Sequence, residues 1–95
     1  MQVIDHEPGS WFLLQDGEAV YLDVLCDRGM VSFCVDIQLN PEERELYARD
    51  GREYIVSLAD ELLARSDPAE PRQLRDRELQ DRITATIVAW NQQHP

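Results

Sequence analysis

Hydrophobic positions change their spacing once along this chain, at Leu39-Asn40-Pro41-Glu42-Glu43. Before it, Val31, Phe33, Val35, Ile37 and Leu39 alternate with Ser32, Cys34, Asp36 and Gln38, the period of a half-buried strand. After it, Tyr47, Gly51, Tyr54/Ile55, Leu58 and Leu62 recur every three or four residues, as on one face of a helix. Asn40 is a preferred N-cap, Pro41 suits the first helical position, and Glu43 sits where a capping-box carboxylate reaches back. The pattern predicts an α+β domain: a three- to four-stranded antiparallel β-meander, then two α-helices packed on the sheet.

Upstream, Trp11 to Gln15 and Glu18 to Cys26 flank Asp16-Gly17, a hairpin signal because both central residues tolerate positive φ. A two-residue loop there pairs Gln15 with Glu18, Leu13 with Val20 and Trp11 with Leu22. Taking Arg28-Gly29 as the next turn pairs Cys26 with Val31 and Val24 with Phe33, which keeps all core-like side chains on one face. The strands are then expected at about 2–5, 11–15, 18–26 and 30–39. One helix is expected over about 41–65, continuous through Gly51, whose missing side chain would let a strand approach. A second is expected over about 73–91, carrying Leu79, Ile83, Ile87 and Trp90 at helical spacing. Ser66 to Pro71, with two prolines, reads as the linker between them. All 95 residues are read as a single domain.

Charge alters the picture more than composition does. Nineteen acids stand against nine basic residues, all of them arginine, for a net charge of −10. Residues 1–40 carry −6, residues 41–71 carry −5, and residues 72–95 carry +1. That balance disfavours nucleic acid and anionic membrane surfaces, which need clustered positive charge, and favours a basic protein partner. No apolar stretch approaches the ~20 residues of a membrane span, and no secretory signal is evident, so a cytoplasmic location is expected.

The candidate chemistry is sparse. The registers put Cys26 and Cys34 on opposite faces of the sheet, where no disulfide bridges them. Asp23 and Asp36 beside Cys34 are expected to raise its pKa rather than activate it. Asp5-His6-Glu7 holds three potential metal ligands, but His94, the other histidine, lies far along the chain, so no metal site is expected. Ser10, Ser32, Ser57 and Ser66 lack the glycine-flanked setting of a hydrolytic nucleophile, and no glycine loop for phosphate is present. The paired carboxylates Glu42/Glu43 and Asp60/Glu61 suit a helix terminus and a solvated face. Arg72, Arg75, Arg77 and Arg82 alternate with acids as a self-paired helical face. A non-catalytic protein without a cofactor is the expectation.

The outward sheet face offers more. It presents Phe12, Leu14, Ala19, Tyr21, Leu25 and Cys34 among Asp23, Asp36 and Gln38. Either the second helix covers this face, or it is an exposed patch suited to a protein partner or a second copy of the chain. Candidate partner-binding residues are therefore Phe12, Leu14, Tyr21, Asp23, Leu25 and Asp36, with Tyr21 or Phe12 as the aromatic anchor.

Leu39-Asn40-Pro41-Glu42-Glu43, followed by Tyr47, Gly51, Ile55, Leu58-Ala59 and Trp90, resembles small acidic bacterial proteins. Some of these are immunity proteins of polymorphic toxin and contact-dependent inhibition systems. The resemblance spans residues 11–90, rests on capping and packing positions, and transfers no functional residue. It implies a cytoplasmic, non-catalytic protein that binds and neutralises a basic toxin. A homodimeric regulatory or accessory protein is the alternative.

Overall fold

The computed structural model describes residues 1–94. Four strands, β1 (Gln2–Glu7), β2 (Trp11–Asp16), β3 (Ala19–Arg28) and β4 (Val31–Gln38), form one antiparallel sheet in the order β1-β2-β3-β4. Three helices follow, α1 (Pro41–Asp50), α2 (Arg52–Arg65) and α3 (Arg77–Gln93). The α+β meander anticipated from the alternation is the fold, with three helices where two were expected.

Both hairpin registers differ from expectation by two residues. Gln15 pairs with Val20, Leu13 with Leu22 and Trp11 with Val24, while Cys26 pairs with Phe33 and Val24 with Val35. The turns are therefore Gly17-Glu18 and Gly29-Met30, each with glycine first and at positive φ (61° and 73°). That is the type II′ preference, in which only the first central residue needs positive φ. A shift of two preserves the face of every side chain, so the predicted core set stands.

That core is Trp11, Leu13, Val20, Leu22, Val24, Cys26, Val35, Ile37 and Leu39 from the sheet, closed by Ile55, Leu58, Ala59 and Leu62 of α2. The capping box at Asn40 is complete: its side chain accepts from the Glu43 N–H, and Glu43 accepts from the Asn40 N–H. The uninterrupted 41–65 helix is not observed. Gly51, at φ 67° and ψ −143°, separates α1 from α2, and no atom approaches the position its Cβ would occupy. Close strand approach is thus not the reason for glycine here; the backbone angle is. The bend sets Arg52, the first residue of α2, against β1, where it bonds Asp5 at 2.6 Å and Glu7 at 2.5 Å and lies 4.9 Å above the Trp11 ring.

β1 runs on to Glu7, two residues past expectation, with a register shift between Val3 and Asp5. The last helix begins at Arg77 rather than near Gln73, because residues 72–74 are bound to the sheet edge. The Leu74 N–H donates to the Asp36 carbonyl, and the Gln73 side chain accepts from the Asp36 N–H. Asp76 then caps α3. These bonds cover part of the open edge of β4. α3 crosses the sheet face opposite α1 and α2, burying Ile83 against Leu14 and Tyr21, with Leu79, Ile87, Val3 and Ala19 around them. The predicted spacing of Leu79, Ile83, Ile87 and Trp90 is the face α3 turns to the sheet.

Candidate functional site

The six candidate residues do not stay together. Leu14 (0% exposed) and Tyr21 (7%) lie beneath α3 as a second core layer. Phe12 is half-buried within an aromatic group. His6 stacks on it at 5.5 Å, the edge of Trp90 meets it at 5.7 Å, and Trp90 in turn stacks on His94 at 4.1 Å. Tyr21 is thus buried beneath α3, while Phe12, half-buried, still borders open surface.

What remains open of this face is a groove between α3 and the sheet. Phe12, Asp23, Leu25 and Cys34 line it from the strands, and Thr84, Ile87 and Val88 from α3. Its volume is about 230 Å³. The Leu25 N–H donates to the Ser10 carbonyl at 2.9 Å, tying β3 to the loop at the groove's end. Leu25 (38%) and Val88 (50%) are exposed large apolar side chains at this groove. Sequence reasoning found Phe12, Asp23 and Leu25 through their parity. It missed Thr84 and Val88, and it set Ile87 on the helical stripe without bringing it to this groove.

Asp23 and Asp36 are directly opposite each other on β3 and β4. Asp36 is buried, and its Oδ1 meets no donor from any described residue. Burial first, and then the facing Asp36 carboxyl, raises the Asp23 pKa to about 9. Two carboxylates this close do not both ionise readily, so the pair keeps a proton that satisfies the buried oxygen. Partial burial, followed by the Asp23 and Asp36 charges, pushes the Cys34 thiol up to about 11. At neutral pH it is a protonated, weakly nucleophilic group. Cys26 is buried in the core, Cys34 is exposed, and no disulfide joins them.

The other charged groups are arranged differently. Burial raises the Glu43 carboxyl, but bonds from Arg72 and the Asn40 N–H outweigh it and hold the pKa below its ordinary value. Arg72 also donates to the Gln38 carbonyl. Arg65 pairs with buried Glu70 through two 3.0 Å bonds, and Arg82 with Asp16 at 2.6 Å. Asp5 and Glu7 are held by Arg52, while His6 points to the opposite face among the aromatics, so the three do not converge. Among the described residues no group of three or more metal-ligating side chains is gathered, and no helix is long and apolar enough to cross a membrane.

Five of the remaining acids lie on the α1–α2 layer, while Glu18, Asp27, Asp67, Asp76, Glu78 and Asp81 lie on the sheet, the linker and α3 with its cap. Glu42, Glu45, Glu53, Asp60 and Glu61 are exposed, and none makes an ion pair among the described residues. Val56, 38% exposed, sits between Glu53 and Asp60 along α2. No family model, curated protein or solved structure matches this chain.

Proposed function

We propose that this chain is a non-catalytic, acidic protein-binding domain of the immunity type, acting in the cytoplasm by covering the functional surface of a basic toxin. The observation that carries this reading is the distribution of charge. Five arginines, Arg49, Arg52, Arg65, Arg72 and Arg82, are engaged with nearby acids. That leaves Glu42, Glu45, Glu53, Asp60 and Glu61 of α1 and α2 exposed and without an ion pair among the described residues. Glu53, Val56, Asp60 and Glu61 fall on one helical face, so an exposed apolar residue lies inside an acidic field. A field of one sign speeds encounter with oppositely charged partners, and an apolar centre gives the encounter something to bury. The protonated carboxyl pair and the protonated thiol form no nucleophile–base set, which further favours binding over catalysis.

A homodimer through the outer sheet face loses ground, because α3 already occupies Leu14 and Tyr21. The test is affinity capture from native lysate, eluted across a salt series. One basic protein, retained at low salt and released as salt rises, is the expected result. Recovery of only further copies of this chain, or of an acidic partner, contradicts the proposal.

A further inference from the structure

The groove beside Asp23 is apolar over most of its lining, yet it adjoins two carboxyls that no cation among the described residues neutralises. Asp36 faces Asp23 from β4, and among the described residues that line the groove none is basic. Arg72, in the segment bound to the β4 edge, pairs with Glu43, and Arg82 of α3 pairs with Asp16. Asp36 is more than nine-tenths buried, with Oδ1 lacking a donor from any described residue. Among the described residues only the proton held by the pair satisfies that oxygen, so a ligand that brings its own donors can take the proton's place. The groove, at about 230 Å³, is smaller than ordinary small-molecule pockets and of a size for one side chain.

We propose that this groove is a socket for one basic side chain of the protein partner, its alkyl stem against Phe12, Leu25, Ile87 and Val88, and its charged head paired with Asp23 and Asp36. The inference rests on the proposed function for the class of partner, and adds a second contact on the sheet face away from the acidic helices. Charge complementarity selects the occupant, since a neutral apolar side chain leaves the carboxyl pair as it was and an acidic one opposes it. A guanidinium or ammonium takes over the role of the proton shared by the two carboxyls. Binding at neutral pH then releases that proton to solvent, leaving two carboxylates and one cation, with no bond to carbon made or broken.

The experiment uses n-butylguanidinium as the probe and n-butylurea as its neutral counterpart. Carbon NMR of the aspartate carboxyls follows the titration, and calorimetry in two buffers of different ionisation enthalpy counts protons. The expected result is saturable movement of the Asp23 and Asp36 carboxyl signals with release of a proton near pH 7, and no response to the urea. Asp23→Asn should weaken the guanidinium at least about tenfold, as loss of a charge-assisted bond does. Leu25→Ala, which leaves both carboxyls in place, should weaken it about threefold through lost apolar contact. Absence of carboxyl movement overturns the socket, and so does binding that Asp23→Asn leaves unchanged. Socket binding without any basic protein captured would sink the immunity reading alone. A captured basic protein indifferent to Asp23→Asn would sink the socket alone.

Discussion

Asp23 and Asp36 face each other across β3 and β4, a cross-strand pair of like groups with no cation beside them among the described residues. Like charges placed opposite one another destabilise a sheet, so the arrangement survives by keeping a proton. It also gives stability a pH dependence.

Asp23 has a pKa raised from 3.8 to about 9. The folded state therefore holds a proton that the unfolded chain has already lost, and stability falls as pH rises through that window. Asp23→Asn should flatten this limb. Urea denaturation should find the variant more stable than wild type by about 1–3 kcal/mol at pH 8 and nearly equal at pH 4, because an amide resembles the neutral acid and can donate to Asp36. Equal stability at pH 8 would show that the pair does not share a proton.

Glu43 titrates in the opposite sense. Its pKa is lowered in the folded state, so its contribution is present above about 4.5 and is lost as pH falls through the folded value. Arg72→Met should remove most of this acid limb and cost about 1–3 kcal/mol at pH 7. The figure is discounted for the 35% exposure of the Arg72 side chain. The loss should show as a lower denaturation midpoint with an unchanged slope.

Gly51 distinguishes two helices from one by a single substitution. In a continuous helix Gly51→Ala would stabilise by about 1 kcal/mol. At φ 67° and ψ −143° alanine is strained whatever the space around it, so a loss of about 1–3 kcal/mol is expected. Thermal unfolding of the purified variant gives the sign.

Leu14 belongs to the layer under α3, not to a free surface. Leu14→Ala should cost about 2–5 kcal/mol, as for a fully buried leucine, at every protein concentration. A midpoint that moves with concentration would instead place Leu14 in a dimer.

The alternation of Val31 to Leu39 and the Asn40–Glu43 capping box made the change from sheet to helix legible, because both are local rules of spacing. Face assignment survived the misplaced turns because Gly17 and Gly29 moved both registers by an even number. Gly51 misled because it falls on the apolar stripe between Tyr47 and Ile55, where periodicity is blind to φ. The start of α3 was hidden for another reason: the bonds from residues 73 and 74 to Asp36 are long-range. The stripe Leu79, Ile83, Ile87 and Trp90 identified which side of the last helix is buried, but not which sheet face receives it. For that reason Phe12, Asp23 and Leu25 were readable as one surface, while Leu14 and Tyr21 were placed on it when α3 covers them.

The central claim, that the acidic helical face engages a basic partner, is tested most directly by charge neutralisation without change of shape. Wild type and the triple variant Glu53→Gln, Asp60→Asn, Glu61→Gln are presented side by side to the captured partner, and association rates are followed against salt. The prediction is a rate that falls steeply with salt for wild type, and a slower, flatter dependence for the variant at equal thermal stability. Identical rates and salt slopes for the two proteins would contradict the account.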